Sequence, residues 1–354
     1  MEVDFLIIGQ GLAGSLLAWE LIQRGCSVMV IDNGAENASQ IAAGLINPIT
    51  GLRFVKASDT ESLLATSKRY YSNLTRFFNE DFFIEKPMLR IFSNENELSN
   101  ATKRFHNPDY RHYIKSIEQA DIKIENIATP LGFLEQEQTG YLLTKPLLNC
   151  LRTFFISKGS YRLSVFDYDQ VKLEPQLSWQ DIYPGRIIFS EGFLATLNPW
   201  FSWLPFQPVK GEILTLQHEI ELPDKILNFG KWLIPLNPNQ IRIGATFDRE
   251  NKNTQITDIG KAELLNALSK LSPALLNITL IEHCANIRPC TLDRHPFLGI
   301  HPGFQSLAIF NGFGAKGSLQ IPWYAAHFAD HLLTEAKLLP ACNIGRHLAK
   351  YFKL

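Results

Sequence analysis

The first 32 residues alternate apolar blocks with glycines in an order that predicts strand, turn, helix and strand. Residues 3–8 are mostly apolar, which is typical of a buried parallel strand, and residues 12–24 carry apolar side chains at helical spacing until Gly25 ends the helix. A second apolar run, residues 27–31, precedes Asp32. The pattern predicts a βαβ unit with a glycine-rich turn where a nucleotide can bind.

The middle of the chain has a different pattern. Residues 231–235 and 241–246 are strand-like runs separated by a turn-forming sequence at 236–240, which predicts an antiparallel hairpin, and residues 213–216 predict another strand. Helical spacing of apolar residues predicts helices over 59–78 and 259–271. Because hairpins do not belong in a doubly wound parallel sheet, they favour a second domain inserted into the first.

The C-terminal part repeats the order of the N-terminal part. Residues 307–310 predict a strand, residues 311–317 a glycine-rich turn, and residues 322–333 a helix with Pro322 near its start. We therefore expect the two ends of the chain to contribute to the same nucleotide-binding sheet.

Composition narrows the choice of function classes. A chain of 354 residues favours two domains, and the formal net charge of −1 gives no global reason to expect nucleic acid or an anionic membrane as partner. The five cysteines, at positions 26, 150, 284, 290 and 342, form no C-x-x-C pair, which favours free thiols in a reducing compartment. The acidic N-terminus and the lack of an 18-residue apolar run lead us to expect a soluble, cytoplasmic protein without a membrane span, and no ligand spacing indicates a metal site.

Each of three glycines in the glycine-rich turn has a separate structural task. Gly9 permits the tight turn, Gly11 lets the backbone approach a pyrophosphate, and Gly14 lets the helix pack closely on the strand. The N-terminus of the helix favours the negative charge of the phosphates. Asp32 follows at the end of the second strand, where a carboxylate can accept hydrogen bonds from ribose hydroxyls.

Several later segments resemble one family, the FAD-dependent amine and amino-acid oxidoreductases that include glycine oxidase and D-amino-acid oxidase. The resembling segments are residues 39–48, 187–192, 286–289, 293–299 and 312–317. The first resembles the family's second flavin segment, where small residues let the backbone pass beside the cofactor. The last resembles the loop whose amides face the flavin pyrimidine ring. The resemblance implies FAD as the cofactor.

The resemblance also implies which residues bind FAD. Val171 matches the position whose backbone edges the adenine, and Glu191 stands where the family usually has Ala, a departure that the sequence does not explain. The residues implied for the cofactor belong to the N-terminal turn, the second flavin segment, the strand end before Gly192 and the C-terminal loop: Gly9, Gly11, Leu12, Ala13, Gly14, Asp32, Asn33, Ser39, Ala42, Ala43, Gly44, Leu45, Val171, Ser190, Glu191, Gly192, Gly312, Gly314, Ala315, Lys316 and Gly317.

Three residues are implied for the substrate and the chemistry. Arg288 matches the arginine that binds the substrate carboxylate, Trp232 falls where glycine oxidase places a tyrosine over the substrate, and Lys316 follows Ala315 in the loop beside the flavin. Cys290 lies two residues after Arg288, a spacing that differs from that of the cysteine that tethers FAD in monomeric sarcosine oxidases. We therefore expect noncovalent FAD.

The fold implied is α/β, with a Rossmann-type, glutathione-reductase-like FAD-binding domain and an interleaved, mostly antiparallel substrate domain. We expect the FAD-binding domain to comprise residues 1–80, 146–210 and 285–354, and the substrate domain residues 81–145 and 211–284.

The function implied is oxidation of a C–N bond of a small amine or amino acid by hydride transfer to FAD, followed by hydrolysis of the imine, with dioxygen or another electron acceptor reoxidising the cofactor. Ala315-Lys316 and Asn47-Pro48 are closer to the flavin half of a bifunctional tRNA-modifying enzyme. Oxidative removal of the carboxymethyl arm of a wobble uridine in tRNA is therefore an alternative, which the balanced charge does not favour. A flavin-binding protein without turnover is the alternative from another class.

Overall fold

The computed structural model describes residues 1–57, 59–275 and 277–352. Within these ranges the chain forms the following strands: β1 (Glu2–Ile8), β2 (Val28–Asp32), β3 (Leu45–Ile46), β4 (Ile49–Thr50), β5 (Val55–Lys56), β6 (Phe83–Glu85), β7 (Met88–Ile91), β8 (Ile114–Glu118), β9 (Phe133–Gln136), β10 (Gly140–Leu142), β11 (Tyr161–Leu163), β12 (Val171–Lys172), β13 (Ser178–Trp179), β14 (Tyr183–Phe189), β15 (Val209–Gln217), β16 (Ile226–Asn228), β17 (Trp232–Asn237), β18 (Gln240–Gly244), β19 (Thr279–Arg288), β20 (Phe297–His301) and β21 (Phe304–Asn311).

The helices of the same ranges are α1 (Leu12–Gln23), α2 (Ala38–Ile41), α3 (Thr60–Phe78), α4 (Glu95–Phe105), α5 (Thr144–Ser157), α6 (Asp258–Leu271), α7 (Gly317–Thr334) and α8 (Leu348–Tyr351). Four short 3-10 helices connect longer elements: Pro108–Tyr110, Tyr168–Gln170, Gly192–Leu197 and Ile344–His347. The predicted βαβ start and the predicted helices over 59–78 and 259–271 agree with these bounds to within one residue at most ends.

A six-stranded sheet in the order β11-β2-β1-β14-β21-β20 forms the first of two large sheets. Its first five strands are parallel, and β20 pairs antiparallel with β21 at the edge. One face carries Ile7, Ile188 and Ala308, which share a core with apolar residues of α1, α3, α5 and α7. The other face is covered by a second core that includes Trp179 and Phe201. Because both faces are covered, the central strands consist almost entirely of buried apolar residues.

An eight-stranded sheet in the order β19-β15-β18-β17-β16-β7-β9-β8 forms the other large sheet. Its pairs are antiparallel except β16 with β7. Leu214, Leu216 and Ile243 on one face pack against Leu264 and Leu268 of α6. The opposite face is free to form a wall of a cavity. The predicted hairpin is present as β17 and β18, and the predicted strand over 213–216 lies inside the longer β15.

Segments of the chain contribute in turn to one large sheet and then to the other, in nearly the same order as the segments of the two predicted domains. However, β15 and β19 each cross a predicted boundary, at 210/211 and 284/285, and continue without interruption. The division into two domains stays a prediction. No helix within the described ranges is long and apolar enough to span a membrane.

The C-terminal helix differs from its predicted start. It begins at Gly317, so that Pro322 lies inside the helix rather than near its first turn. A proline there cannot donate to the carbonyl of Ser318, four residues earlier. The hydroxyl of Tyr71 donates to that carbonyl instead, at 2.6 Å. A partner on another helix thus satisfies the acceptor that the proline leaves open.

Candidate active site

A cavity of about 840 Å³ lies between the two large sheets. On one side it is lined at the carboxyl ends of the parallel strands by Ile8, Asp32, Ser190 and Asn311. On the other side it is lined by Trp232 and other residues of the face of the antiparallel sheet that α6 does not cover. Ligands of open parallel sheets bind at the carboxyl ends of the strands, which makes this cavity the candidate site.

The N-terminal turn forms the floor of the cavity, and its glycines are required by close packing. Gly9 has φ +101°, and a Cβ on it would stand 2.6 Å from the carbonyl oxygen of Ser190. A Cβ on Gly14 would stand 2.0 Å from the carbonyl oxygen of Gly9. Gly14 itself is buried and does not line the cavity, as expected for a residue that brings helix and strand together. Gly11 caps α1 without a side-chain hydrogen bond, so the positive end of the helix faces the cavity.

Asp32 is buried at the end of β2 and lines the cavity, with Asn33 beside it. Its Oδ2 accepts a hydrogen bond from the backbone N–H of Gln10 at 2.8 Å, and its Oδ1 accepts one from the backbone N–H of Gly34 at 2.8 Å. The carboxylate therefore connects the glycine-rich turn to the loop after β2. Each oxygen retains capacity to accept a further hydrogen bond from a ligand hydroxyl.

The second flavin segment passes along the cavity as the resemblance implies. Ser39, Ala42, Ala43, Gly44 and Leu45 all line it. The Oγ of Ser39 accepts a hydrogen bond from the backbone N–H of Leu12 at 3.0 Å, which joins this segment to the start of α1. Gly44 has φ +67°, and a Cβ on it would stand 2.0 Å from the carbonyl oxygen of Leu142. Only glycine fits at that point.

The end of the cavity beyond Asp32 differs from the prediction. Val171 pairs with Trp179 in the short β12-β13 ribbon and does not line the cavity. Val165, Phe166 and Tyr168 line it instead. The reason is that the chain turns through the 3-10 helix Tyr168–Gln170 just before Val171, which directs the Tyr168 ring to the cavity and Val171 away from it.

Glu191, which the sequence left unexplained, has two side-chain partners. Its Oε1 accepts a hydrogen bond from the hydroxyl of Tyr168 at 2.6 Å, and its Oε2 accepts one from the amide of Asn198 at 2.9 Å. The carboxyl group lines the cavity together with Ser190 and Gly192. Burial raises the pKa of Glu191 to about 7, against the lowering effect of these two hydrogen bonds.

At the opposite end of the cavity, Arg288 lies at the end of β19 and lines the wall. Its Nη2 donates to the carbonyl oxygen of Thr246 at 3.3 Å, and no carboxylate among the described residues pairs with it. Burial lowers the pKa of this guanidinium from its usual range, which reflects the cost of keeping the charge without a counter-ion. The positive charge of Arg288 is therefore available to bind an anion in the cavity.

Trp232 also lines the cavity, from the same face of the sheet as Arg288 but on β17, which β18 and β15 separate from β19. Its ring crosses Gly244 on the neighbouring strand, where a Cβ would stand 2.5 Å from the Trp232 ring. The missing side chain of Gly244 lets the indole lie flat along the sheet. Arg288 and Trp232 thus line the same cavity, and their roles towards a substrate stay a prediction.

The C-terminal loop is only partly as predicted. Gly314, Ala315 and Gly317 line the cavity at the start of α7, but Gly312 and Lys316 do not. Gly312 is buried, with φ +83°, against Thr291. Lys316 precedes the first helical residue and is exposed, and its side chain makes no capping hydrogen bond. The expected contact of Lys316 with the cofactor is therefore not supported by its position.

Several lining residues had no signal in the sequence. Tyr168 lies in a stretch without a motif, and so does Phe247, whereas Thr246 ends the run 244–246, which resembles a segment of the family's substrate domain. Cys290 also lines the cavity, and a Cβ on Gly314 would stand 3.3 Å from its Sγ. Burial raises the pKa of the Cys290 thiol. Among the described residues, no group of three His, Cys, Asp or Glu side chains is arranged to hold a metal ion.

The residues present fit a dinucleotide that carries a second ring system. The glycine-rich turn and the α1 N-terminus suit a pyrophosphate, Asp32 suits a ribose, and the path along Ala42 to Leu45 leads from there to Arg288 and Trp232. Backbone fills the space where a Cβ would stand at Gly9 and Gly44, so these turns cannot carry larger side chains. This is the arrangement that FAD requires.

Comparison with known proteins agrees with this geometry. The family model described as FAD dependent oxidoreductase matches residues 4–331 of the chain. Glycine oxidase of Pseudomonas aeruginosa is 23% identical over 352 residues, which cover 93% of this chain and 94% of that protein. The tRNA 5-methylaminomethyl-2-thiouridine biosynthesis bifunctional protein of Marinobacter nauticus is also 23% identical, over 95% of this chain. The chain spans 56% of the length of that bifunctional protein.

Solved structures show the same fold. Glycine oxidase from Bacillus cereus superposes with a TM-score of 0.80 at 20% identity, covering 99% of this chain and 98% of that chain. Iminodiacetate oxidase from Chelativorans superposes with a TM-score of 0.79 at 22% identity, covering 98% of both chains.

Proposed function

Because this chain belongs to the family of FAD-dependent oxidoreductases, we propose that it oxidises the C–N bond of a small amine or amino acid that carries a carboxylate. The observation that carries the proposal is the guanidinium of Arg288. It lies in the cavity, has one hydrogen bond to a backbone carbonyl, and pairs with no carboxylate of the described residues. A planar guanidinium binds a carboxylate through two parallel charged hydrogen bonds, which fixes both position and orientation.

The other residues at this end of the cavity orient the substrate rather than react with it. Trp232 offers a flat apolar surface on the same sheet face as Arg288, and the carbonyl oxygen of Thr246 accepts a hydrogen bond from the guanidinium. Cys290, whose pKa is raised by burial, remains a neutral thiol near neutral pH. No histidine lines the cavity within the described part of the chain. The amine therefore reacts in its neutral form, without a strong general base from these residues.

FAD supplies the acceptor for the hydride that leaves the α-carbon. The protein's part would be to hold the carboxylate on Arg288 so that the α-carbon and its hydrogen are oriented for hydride transfer. The N-terminus of α7, which faces the cavity through Gly314, Ala315 and Gly317, adds positive potential at this end. The imine that forms reacts with water to give the carbonyl product and the free amine.

Iminodiacetate oxidase and glycine oxidase share the fold, and each name describes a substrate with an amine next to a carboxymethyl group. We therefore infer glycine-like or N-carboxymethyl amines as the substrate class, with dioxygen or another acceptor reoxidising FAD. Five unpaired cysteines fit a reducing compartment, and we propose the cytoplasm.

An anaerobic screen of the purified protein tests the proposal. Glycine, sarcosine, iminodiacetate and D-amino acids are each mixed with the protein under nitrogen, and bleaching of the flavin absorbance is followed. The proposal expects bleaching by at least one amine with a carboxylate and none by the same amine with an amide in its place. Readmission of air distinguishes dioxygen from other acceptors by the rate at which the absorbance returns. A flavin that no amine reduces would support a flavin-binding protein without turnover.

One observation favours the tRNA alternative. The substrate end of the cavity is open, with Phe247 61% exposed at its rim and Thr254 and Ala315 also exposed. An open mouth admits a carboxymethylamine that is attached to a larger molecule. The bifunctional tRNA-modifying relatives match nearly the whole of this chain but are much longer. Anaerobic bleaching by tRNA that carries the modified uridine, with unmodified tRNA as the control, decides between a free and a tRNA-bound amine.

A further inference from the structure

The carboxyl group of Glu191 is held at the cavity wall by two donors of fixed orientation. Asn198 is fully buried, and its Oδ1 accepts hydrogen bonds from the backbone N–H groups of Trp200 at 2.9 Å and Phe201 at 3.1 Å. Its Nδ2 therefore faces Glu191 as a donor. The other oxygen of Glu191 takes the hydroxyl hydrogen bond of Tyr168. Both oxygens thus have side-chain partners: Asn198 at the far end of the 3-10 helix that Glu191 precedes, and Tyr168 from another segment.

The bond to Glu191 fixes the position of the Tyr168 ring. Tyr168 belongs to a single turn of 3-10 helix, and its ring packs against the rings of Phe166, Phe189 and Trp200 with centroid distances of 5.6, 6.3 and 6.0 Å. Aromatic contacts of this kind are compatible with several tilts of a ring. The hydrogen bond from the hydroxyl to Glu191 selects one tilt, with one side of the ring at the cavity.

The Tyr168 ring forms part of the wall against which the adenine of FAD would lie. Gly9 to Ala13 receive the pyrophosphate and Asp32 the adjoining ribose, so the base must lie against the wall beyond Asp32. That wall contains Val165, 73% exposed, and Leu197, 72% exposed, together with Tyr168. Exposed aliphatic side chains beside an aromatic ring form a surface suited to a flat base.

Glu191 is also tied to the glycine-rich turn. A Cβ on Gly9 would stand 3.3 Å from the Cα of Glu191, so the backbone at Glu191 packs directly on the turn that receives the pyrophosphate. Through its side chain the same residue reaches Tyr168. It therefore spans the two parts of the site that would hold the adenosine half of the cofactor.

We propose that Glu191 is a positioning residue of the FAD site: it holds the Tyr168 ring in place as the adenine wall, and thereby sets the affinity for the adenosine half of FAD. This inference rests on FAD as the cofactor and is independent of which amine is oxidised. It also assigns a role to the residue at which the chain departs from its family. A charged group in a cavity for a diphosphate is tolerated because its oxygens are occupied and its charge is partly suppressed by burial.

The test uses the full-length holoenzyme and the variants Tyr168→Phe, Glu191→Ala and Glu191→Gln. Holoenzyme is diluted in steps, and the fluorescence of released FAD gives the Kd for FAD. ADP, which carries the adenosine half without a flavin, is then added as a competitor. Tyr183→Phe, an exposed tyrosine outside the cavity, is the matched control.

We expect Tyr168→Phe and Glu191→Ala to raise the Kd for FAD and the inhibition constant of ADP by a similar factor, about tenfold, as for loss of a hydrogen bond to a charged group. Glu191→Gln keeps one acceptor and should fall between Glu191→Ala and the parent. The Kd for FMN, which lacks the adenosine half, should not change in any variant. The amide oxygen of Gln can accept only one of the two hydrogen bonds, and its NH2 group, a donor, cannot accept the other, which accounts for the intermediate value.

The proposal is overturned if the variants bind FAD and ADP as the parent does, or if the Kd values for FMN and FAD rise by the same factor, which indicates a general loss of structure. Tyr168→Phe removes a single oxygen from a surface-accessible ring, so it keeps the test valid if Glu191→Ala does not fold. Because no amine is used, a failure here is separate from a failure of the proposed C–N oxidation.

Discussion

The guanidinium of Arg288 lies across Gly211 of the neighbouring strand, where a Cβ would stand 2.1 Å from Nη2. Two residues that are far apart in sequence thus form one feature: the missing side chain of Gly211 makes the space in which the fork of Arg288 rests. Gly211 is paired with Asn286 in the sheet and has no unusual backbone conformation, so its role is the space alone.

Gly211→Ala should therefore displace Arg288 without unfolding the protein, because the atom in the way is the far end of a flexible side chain. We expect the KM for carboxylate amines to rise on the order of tenfold to a hundredfold, since a displacement of about 1 Å disturbs a bidentate contact. Steady-state kinetics measures this effect, and the flavin absorbance spectrum should stay as in the parent. Gly303→Ala, at an exposed glycine with only ordinary contacts, is the control. An unchanged KM would show that the guanidinium does not need this position.

Arg288→Lys tests the fork itself. Lysine keeps the positive charge but offers no planar pair of donors, so capture of a carboxylate should weaken by about 1.5–3 kcal/mol, the usual worth of a hydrogen bond to a charged group. The expected result is a higher KM with FAD still bound, and the ratio of kcat/KM between parent and variant gives the loss. Arg111→Lys, on the exposed 3-10 turn after Tyr110, serves as the control. Loss of FAD instead of substrate affinity would make Arg288 a cofactor residue.

The sequence predicts the elements whose pattern is local. The βαβ start, the hairpin of β17 and β18 and helix α6 each follow from the periodicity of their own residues. The glycine-rich turn is predictable for the same reason where the close contact is local, as for Gly14 against the carbonyl oxygen of Gly9; the contact of Gly9 with Ser190 is long-range and is not readable from the turn alone.

The remaining features depend on partners far along the chain. The start of α7 could not be placed because the carbonyl freed by Pro322 takes the hydroxyl of Tyr71, 247 residues from Ser318. Val171 does not line the cavity, whereas Tyr168, in the 3-10 turn before it, does, and no local pattern indicates this turn. Glu191 had no interpretation until Asn198 and Tyr168 were seen on its two oxygens.

Asp32→Ala should weaken FAD binding by roughly 1–3 kcal/mol through loss of the ribose contact. The structure adds a consequence for stability, because the carboxylate also accepts the backbone N–H of buried Gln10 and that of Gly34. Removing it leaves a buried donor without a partner, so the melting temperature should fall as well. Asp32→Asn retains an acceptor for one of these N–H groups and should lose less of both. Dilution of holoenzyme measures the affinity and thermal unfolding measures the stability; equal FAD affinity in all three proteins would remove Asp32 from the cofactor site.

FAD should be released intact by acid precipitation, with no flavin left on the polypeptide. Cys290 lies in the cavity near Gly314, but burial raises the pKa of its thiol, so little thiolate is present near neutral pH to form a bond to the cofactor. Cys290→Ser should bind FAD with the parent's absorbance spectrum. Mass spectrometry of the denatured chain checks the prediction: a mass increased by that of FAD in the parent and absent from the Cys290→Ser variant would contradict it.

The carboxyl group of Glu191 should make both stability and FAD affinity fall as pH rises. Its pKa in the folded protein is about 7, raised by burial from 4.5, so between these values the folded state holds a proton that the unfolded state has released. Stability contributed by the neutral group is therefore complete below pH 4.5 and lost as pH rises through 7. The groups that contact it add no competing titration, because the pKa of Tyr168 is raised above its usual range and Asn198 does not titrate.

A pyrophosphate bound nearby would favour the neutral carboxyl further, so the Kd for FAD should increase from pH 6 to pH 8. Melting temperatures and FAD dilution curves of the parent and Glu191→Gln over this range provide the measurement. The advantage of the parent over Glu191→Gln at pH 6, in melting temperature and in FAD affinity, should become smaller towards pH 8. Parallel pH profiles of the two proteins would show that Glu191 does not titrate over this range and would contradict the prediction.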